Sequence, residues 1–262
     1  MEINMVLIIN NKKLFIFLFF IFLLFPKSNL HAQERVFKVA IDNWPPFRMI
    51  ENKNYSGIDF DVWRELAKCL NLKLNFIEFP WARCLFSMKK GLVDGMAGLA
   101  KRKDRETYMQ YTNLPYYTCS TVFYVLKEKS SLIQKYEDLY KYQIGFVRDS
   151  AYFDRFDKDT KIQKYPVVKE FQLLRMLAAS RFNAFIGTDC QADYQIVQEK
   201  YQNAFEKARY KPGNDVRLYI AVSKKSIYSK ELSLFNQTIK QIVEQGKVRD
   251  YANAYYTHVC KD

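Results

Sequence analysis

Histidine and paired cysteine motifs are scarce in this sequence. Of 262 residues only two are histidine, His31 near the start and His258 near the end, and the five cysteines form no C-x-x-C motif. Structural metal centres and thiol–imidazole catalysts need clusters of such ligands. The sequence therefore predicts no metal site, no catalytic residue and no cofactor.

Long basic runs are also missing, although the chain carries a formal net charge of +13. The longest uninterrupted run of lysine and arginine is KRK at residues 101–103. Nucleic-acid-binding proteins concentrate positive charge in a patch or stripe, whereas these charges are scattered. We interpret them as solvated surface with a bias towards acidic ligands, and we expect no nucleic-acid partner. Linkers, internal repeats and low-complexity tracts are absent too, so we expect no additional domain.

The apolar stretch near the start is short for a membrane span. Residues 14–25, LFIFLFFIFLLF, are twelve apolar residues that follow two lysines, and a transmembrane helix needs about 20. A charged start, a short apolar centre and the small Ala32 are typical of a secretory signal peptide. We predict a signal peptide at residues 1–32, cleaved near Ala32, with an uncleaved anchor as the alternative. Because no cysteine lies near the cut, the pattern favours a free periplasmic protein over a lipoprotein.

Disulfides are possible in an exported chain, but five cysteines leave at least one thiol unpaired. The pairing does not follow from the sequence. The candidate pairs are Cys190 with Cys260 and Cys69 with Cys84.

A central stretch, residues 80–117, has a clear local pattern. Apolar residues recur at helical spacing and predict a helix at 82–90, ended by Gly91. The short, nearly uncharged run DGMAGL that follows predicts a buried strand. A basic loop with Arg102 and Arg105 comes next. Since ligands bind where such strands end in open α/β sheets, this loop is a candidate anion site.

The rest of the chain alternates between predicted strands and helices. Strands are predicted at 36–41, 72–79, 142–147 and 183–186, with longer extended runs at 116–126 and 217–222. Helices are predicted at 57–70, 171–180 and 232–256, the last interrupted by Gly246. A further helix begins within RDSAYFDRF, and its first amides, near Asp149 and Ser150, are placed to meet an anionic ligand. Ser150 is equally suited to be a plain helix cap.

Four segments together resemble one known family. They are GIDFDVWRELAKCLNL at 57–72, GLVDGMAGLAKRKDRE at 91–106, LPYY at 114–117 and LFNQTIKQIVEQGKVRDYANAYY at 234–256. Their order and spacing are similar to those of the extracellular solute-binding proteins of family 3, the polar amino-acid type of receptor that serves ABC importers. The resemblance covers nearly all of the mature chain.

This resemblance implies an α/β fold of the two-lobed, type II periplasmic-binding-protein kind, in which each lobe is a mixed, mostly parallel sheet flanked by helices. Two crossing strands would join the lobes, so that they close on a ligand by a hinge motion. We place the first part of lobe 1 at 33–120 and lobe 2 at 121–217. Residues 218–262 would return to lobe 1 and form the C-terminal helices.

By the same resemblance, the ligand site centres on Arg105. Its guanidinium would hold a carboxylate through paired, charge-assisted hydrogen bonds, helped by backbone amides near Gly98 and Ala100. A surface position within the charge cluster KRKDRE is the alternative for this arginine. Trp44 and Trp81 would form two aromatic walls, and the alternative for Trp44 is packing beneath its own loop.

Three positions depart from the family pattern. Arg83 either adds a cationic contact to the ligand or faces solvent. Arg102 replaces a usual threonine and either strengthens the anion site or points outward. Thr188 occupies the strand end where the family commonly places an aspartate for the ligand's α-ammonium, with Asp189 one residue further. A hydroxyl does not balance a buried ammonium, so either Asp189 turns into the cleft or the ligand is not a standard α-amino acid.

These expectations favour a monomeric periplasmic protein that captures a small carboxylate-bearing solute, with an amino acid as the leading candidate, and delivers it to the membrane component of an ABC importer. The first alternative is an enzyme on the same scaffold, similar to cyclohexadienyl dehydratases. It would need a buried acid or base, for which Glu78 and Asp59 are the nearest candidates. The resemblance, however, favours Asp59 and Asp61 as part of the opening of the first long helix. The second alternative is a ligand-free interaction or sensing protein.

Overall fold

The computed structural model describes residues 34–213 and 215–256. Within them the strands, in chain order, are β1 (Val36–Ile41), β2 (Met49–Glu51), β3 (Asn54–Ser56), β4 (Lys73–Glu78), β5 (Gly95–Leu99), β6 (Met109–Tyr111), β7 (Tyr117–Leu126), β8 (Gln143–Val147), β9 (Gln163–Val167), β10 (Ala184–Thr188), β11 (Phe205–Lys207) and β12 (Asp215–Ser223). The helices are α1 (Ile58–Leu70), α2 (Trp81–Lys90), α3 (Asp154–Lys158), α4 (Glu170–Ala178), α5 (Asp189–Gln198), α6 (Leu232–Glu244) and α7 (Lys247–Tyr256). Short 3₁₀ turns lie at Arg105–Thr107, Ser130–Leu132, Tyr136–Lys141 and Ile227–Glu231.

The main sheet has the strand order β4-β1-β5-β12-β7-β10-β8-β9, with β6 beside β12 and β11 beside β7. The strands at each end are parallel to their neighbours, β4, β1 and β5 at one end and β10, β8 and β9 at the other. In the middle, β12 and β7 run antiparallel to each other and to the strands that flank them. This arrangement confirms the two-lobed α/β fold that the sequence predicts.

Strands β7 and β12 connect the two lobes. Residues 117–120 of β7 pair with residues 215–218 of β12. Beyond this segment β7 pairs with β10 and β11, whereas β12 pairs with β5 and β6. Each strand therefore changes pairing partners close to residues 120 and 217. This change supports our proposal that the lobe boundaries lie at these residues.

Lobe 1 is held by a core on each face of its sheet. On one face α1, α6 and α7 bury a largely aromatic cluster, in which the Phe37 ring centroid lies 5.3 Å from that of Trp63 and 5.6 Å from that of Phe235. On the other face α2 contributes Met88 beside Met96. Full burial of one such side chain is worth about 1.5–3 kcal/mol. The two cores therefore fix the strand ends from which the loops of this lobe leave.

Lobe 2 also has a core on each face of its sheet, and β7 contributes side chains to both. Phe123 and Val125 point into one buried cluster, and Tyr124 points into the other. The Tyr124 ring stacks on Phe185 with 4.9 Å between the centroids. Because successive side chains of a strand face opposite sides, one strand supplies both cores of this lobe.

The helix predicted within RDSAYFDRF begins later than the sequence suggested. It starts only at Asp154, after an extended Phe153 with φ of −156°. Asp149 adopts a left-handed φ of 61°. The hydroxyl of Tyr152 turns inward and accepts the N–H of Val147 at 3.1 Å. The prediction of a helix N-terminus at Asp149 and Ser150 is therefore wrong, because this inward side chain holds the segment as a loop.

A disulfide joins Cys119 on β7 to Cys190 in the first turn of α5. Both predicted pairings are therefore wrong. Cys190 is already bonded, and the other two cysteines within the described residues are free, Cys69 exposed and Cys84 buried. The observed pair depends on the antiparallel pairing of β7 with β10, which brings the start of α5 beside β7. Cys260, the predicted partner of Cys190, lies outside the described residues.

The predicted signal peptide at 1–32 and its cleavage near Ala32 also lie outside the described residues. Among the helices that are described, none combines the length and the apolar character needed to cross a membrane.

Candidate functional site

A cavity of about 530 Å³ lies between the two lobes. The chain after β1, β4 and β5 forms its lobe-1 wall, and the chain after β8, β9 and β10 forms its lobe-2 wall. These are the carboxyl ends of parallel strands, where ligands bind in open α/β sheets. The crossing strand β12 adds Val216 and Leu218.

Most of the predicted site residues line this cavity. Those that do are Trp44, Trp81, Gly98, Ala100, Arg105, Ser150 and Thr188. Arg83 does not: its side chain is exposed, and its guanidinium lies 5.9 Å and 5.3 Å from the ring centroids of Phe79 and Phe86. Of the two alternatives for Arg83, the structure shows the one that faces solvent.

Asp189 also lies away from the cavity wall. Its Oδ1 accepts the backbone N–H of Ser120 at 2.8 Å and that of Cys190 at 2.7 Å. The carboxylate is therefore held against the crossing strand β7. The alternative in which Asp189 turns into the cleft does not occur in this structure.

Arg105 is a buried cation in the wall of the cavity. Its side chain is 2% exposed, its Nη1 donates to the Ala100 carbonyl at 3.3 Å and its Nη2 donates to the Asp149 carbonyl at 2.6 Å. Within the described residues no carboxylate forms an ion pair with it, since the neighbouring Asp104 pairs with Arg102. Burial lowers the pKa of Arg105, although an arginine stays protonated at any physiological pH. The predicted surface alternative for Arg105 is therefore wrong.

The two lobes touch around this arginine. The Trp81 indole Nε1 donates to the same Asp149 carbonyl at 3.3 Å, and the Trp81 ring lies 5.6 Å from the Arg105 guanidinium. Arg102 Nη1 donates to the Ser150 carbonyl at 3.5 Å. Three lobe-1 side chains therefore contact one short segment of lobe 2, and Arg102 acts between the lobes and not in the cavity wall.

A buried ionic network supports the Trp44 loop from below. Arg48, 3% exposed, donates to Asp42 Oδ1 at 2.7 Å and to Asp59, which also accepts the hydroxyl of Tyr116. Burial acts to lower the pKa of Arg48, but the charges of Asp42 and Asp59 outweigh it and raise the pKa overall. The Arg48 guanidinium lies 5.0 Å from the Trp44 ring. The network therefore positions Trp44 in the cavity wall.

Gly98 is required by this network as much as by the cavity. Its φ is +74°, and a Cβ there would lie 2.5 Å from the Nη1 of Arg48. Any side chain at this position would displace the buried guanidinium. The sequence did not reveal this role, because it depends on a contact 50 positions away in the chain.

Glu170 is a cavity residue that the sequence reasoning missed. It is the first residue of α4, lines the cavity and receives a hydrogen bond from the Trp44 side chain. Burial raises the pKa of Glu170 to about 7, the Trp44 hydrogen bond opposes this and the negative charge of Asp42 adds to it. An acid in the first turn of a helix is common for reasons of the helix dipole alone, so the sequence offered no signal for a role in the site.

The other acids near the cavity are already engaged. Asp59 is fully buried in its contacts with Arg48 and Tyr116 and is not part of the wall. It lies in the first turn of α1, in agreement with its expected place in the helix opening and not with a role as a cleft acid or base. Glu78 lines the cavity and accepts the hydroxyl of Tyr55 at 3.2 Å. Thr188 lines the opposite wall, and its buried Oγ1 has no hydrogen-bond partner among the described residues.

Potential metal ligands cluster at one place within the described residues. Ligand atoms of Cys119, Asp189 and Cys190 lie within 4.8 Å of one another. Both sulfurs are joined in the disulfide, and only a thiolate is a metal ligand. We assign no metal site to this cluster.

A family model for the bacterial extracellular solute-binding proteins, family 3, matches residues 37–258. Among curated proteins, the chain is 30% identical over 110 residues to a protein of Neisseria gonorrhoeae described as a probable histidine-binding protein. That match spans 41% of this chain and 40% of the relative.

Solved structures of similar fold cover most of the chain. An amino-acid ABC transporter substrate-binding protein from Streptococcus pneumoniae bound to L-arginine is 20% identical, covers 87% of this chain and 97% of its own, and has a TM-score of 0.73. A histidine kinase sensor domain with similarity to periplasmic binding proteins is 17% identical, covers 86% of this chain and 97% of its own, and has a TM-score of 0.75. At these identities the similarity shows the fold alone.

Proposed function

Because this chain belongs to the bacterial extracellular solute-binding proteins of family 3, we propose that it captures a small solute with a carboxylate, an amino acid in the first place, in the cavity between its lobes. The observation that carries this proposal is the buried guanidinium of Arg105, which lines the cavity and has no carboxylate partner among the described residues. A cation buried without a counter-ion is unfavourable. A ligand carboxylate would supply the missing charge.

The geometry of Arg105 suits a carboxylate in particular. Its hydrogen-bond partners are the carbonyls of Ala100 and Asp149 and the hydroxyl of Tyr111, all of them neutral, and a guanidinium has five N–H donors. The remaining donors can therefore form the paired hydrogen bonds that a planar carboxylate accepts. Such charge-assisted bonds are about twice as strong as neutral ones.

Aromatic side chains support an amino acid as the ligand class. Trp44, Trp81 and Phe171 all line the cavity, and flat rings of this kind contact apolar or cationic ligand side chains well. The curated relative is described as a probable histidine-binding protein, and one similar structure holds L-arginine. Both relatives therefore support a free amino acid over a larger solute.

Ligand binding would also set the distance between the lobes. The Asp149 segment of lobe 2 meets Arg105 and Trp81 of lobe 1 beside the cavity. A ligand that touches both walls favours the closed form by its extra affinity for that form. We propose that the closed monomer, in the periplasm, delivers its ligand to the membrane component of an ABC importer. A sensor is the alternative receiver, which the similarity to a histidine kinase sensor domain supports.

The proposal is tested by isothermal titration of Arg105→Ala, after unfolding and refolding to remove any bound ligand. With L-arginine, L-histidine and L-glutamate as probes, we expect the tightest of the three to bind the variant about 100-fold or more weakly, because two charge-assisted hydrogen bonds are lost. Arg83→Ala is the matched control, since Arg83 is an exposed arginine outside the cavity, and it should bind like the parent. Full affinity in Arg105→Ala would overturn the proposal.

Of the two acids named for the enzymatic alternative, Asp59 is locked in an ion pair and Glu78 already accepts a hydrogen bond from Tyr55. Glu170, with a pKa raised to about 7, is the cavity acid that such an enzyme would use instead. Fold does not fix function, so incubation with prephenate and arogenate remains a direct check, and we expect no turnover. The ligand-free alternative is less favoured as well. The buried Arg105 in the cavity wall has no carboxylate partner among the described residues, and a bound anionic ligand would offset the cost of burying its charge.

A further inference from the structure

The lobe-2 wall of the cavity must complement the rest of the ligand if Arg105 holds its carboxylate. An amino acid also carries a cationic nitrogen group, and burying a cation requires an opposite charge. In the described part of the chain three acids line the cavity: Asp42, Glu78 and Glu170. Their surroundings distinguish them.

Two of these acids are poor candidates because their charge or their lone pairs are already used. Asp42 Oδ1 accepts both the Nε and the Nη2 of Arg48, at 3.1 and 2.7 Å. Glu78 accepts the Tyr55 hydroxyl at 3.2 Å. Both also lie on lobe 1, the lobe that carries Arg105, so neither would draw a ligand across the cleft.

Glu170 lies on the opposite wall and has no such partner among the described residues. Its recorded polar contact is the Trp44 side chain, and no lysine or arginine is among the groups that act on its charge. The adjacent Lys169 also lines the cavity, but its Nζ lies 5.9 Å from the centroid of the Phe171 ring and its side chain is exposed. Burial makes the free carboxylate unfavourable, which raises the pKa of Glu170 to about 7. A ligand cation would relieve that cost.

The end of strand β10, which also contributes to the lobe-2 wall, offers no alternative acid among the described residues. Thr188 presents a hydroxyl with no partner among the described residues, and Asp189 is held by the backbone N–H groups of Ser120 and Cys190. The lobe-2 wall of the described structure therefore has one acid that faces the cavity.

We propose that Glu170 is the binding site for the cationic nitrogen group of the ligand, opposite the carboxylate site at Arg105. This inference rests on the proposed function and names the ligand class as an amino acid whose cation, either the α-ammonium or a cationic side chain, reaches lobe 2. A ligand held by Arg105 on one lobe and Glu170 on the other would couple binding directly to closure. The Thr188 hydroxyl lies on the same wall, where it is available to accept one further hydrogen bond.

The experiment compares Glu170→Gln with the parent by isothermal titration of three related compounds on refolded protein. L-Arginine carries both cations, L-citrulline keeps only the α-ammonium, and 5-guanidinopentanoic acid keeps only the side-chain cation. We expect Glu170→Gln to bind L-arginine about 10- to 100-fold more weakly, because one charge-assisted contact is lost. A parallel loss for L-citrulline assigns the α-ammonium to Glu170, and a loss for 5-guanidinopentanoic acid assigns the side-chain cation.

The control variant is Glu199→Gln, which neutralises an exposed acid outside the cavity and should bind like the parent. Glu78→Gln tests in parallel the acid on the lobe-1 wall. If Glu170→Gln keeps the parent affinity for L-arginine while Arg105→Ala loses it, the inference is overturned and the proposed function stands. A large loss in Glu78→Gln alone would move the cation site to lobe 1 and also overturn it. If the refolded parent binds none of the three compounds and neither L-histidine nor L-glutamate, the proposed function fails and the inference fails with it. Circular dichroism of each variant checks that the fold is kept.

Discussion

Glu170 shares its cavity with Asp42 and Glu78 but differs from both in how its charge is balanced. Asp42 forms an ion pair with the Arg48 guanidinium, and Glu78 accepts a hydrogen bond from the Tyr55 hydroxyl. Glu170 accepts a hydrogen bond from the Trp44 side chain, while burial and the negative charge of Asp42 both disfavour its ionised form. With a pKa raised to about 7, this carboxyl is partly protonated at neutral pH in the ligand-free protein. A residue prepared for a ligand in this way makes the free protein less stable.

A pH dependence of stability follows from this residue. Its pKa rises from an ordinary 4.5 to about 7 on folding, so the folded state binds the proton more tightly and the unfolding free energy falls as pH rises between these values. Glu170→Gln removes this loss. We expect the unfolding free energy of the variant, relative to that of the parent, to be about 1–2 kcal/mol higher at pH 8 than at pH 5. This is less than the full pKa shift implies, because Glu170 is only partly buried.

Urea denaturation of the ligand-free proteins at the two pH values measures this difference. Asp42 on lobe 1 and Lys169, the residue before Glu170 in the chain, are the other charged groups near Glu170. Glu199→Gln is the control, since Glu199 is an exposed acid at the end of α5, and its effect should not vary with pH. A Glu170→Gln effect that is equally independent of pH would contradict the account.

At the scale of the elements, the start of α5 is fastened to the crossing strand β7. The disulfide joins Cys119 to Cys190, and the Asp189 carboxylate accepts the N–H of Ser120 from the same strand. These contacts lie within the 117–120 segment that pairs with β12. Lobe 2 is therefore attached to β7 as far as Cys119, which leaves the lobe-1 end of the paired segment as the place where a hinge motion would occur.

The disulfide should contribute measurably to stability. It closes a loop with a sequence separation of 71, and restricting the unfolded chain in this way is worth about 2–4 kcal/mol. We expect the Cys119→Ser, Cys190→Ser double variant to lose about this much unfolding free energy in urea. Cys69→Ser, at an exposed free thiol, is the control and should change stability by less than about 0.5 kcal/mol. Equal stability of the double variant and the parent would show that the bond is absent or without effect.

At the scale of the whole molecule, the regular elements follow closely from local sequence. The helix predicted at 82–90 is Trp81–Lys90, and the one predicted at 171–180 is Glu170–Ala178. Their apolar residues recur at helical spacing, and Gly91 ends the first with a φ of 75°. The order of strands and helices, together with the family resemblance, then predicts the two lobes. Periodicity and helix ends are encoded within a few residues, so they can be seen without tertiary contacts.

The features that the sequence did not reveal all depend on contacts distant in the chain. The Cys119–Cys190 bond spans 71 positions, and the approach of Glu170 to Trp44 requires the two lobes to face each other. The helix expected at Asp149 fails because Tyr152 turns into the core of lobe 2. Of the predicted site, the lobe-1 residues other than Arg83 fall in the cavity wall, because the loop after each parallel strand must lie at that edge. The role of the lobe-2 acid Glu170 could not be predicted in this way, because it depends on how the two walls of the cavity face each other.

The central claim is that the cavity binds a carboxylate at Arg105, and a thermal-shift comparison of two nearly identical compounds tests it most directly. L-Arginine and agmatine differ only in the carboxylate. On refolded protein, a ligand at 100 times its dissociation constant adds about 2.7 kcal/mol of stability, which raises the melting temperature by a few degrees. We predict that L-arginine produces such a shift and agmatine does not. An equal shift with both compounds would contradict the claim, because the carboxylate would then contribute nothing to binding.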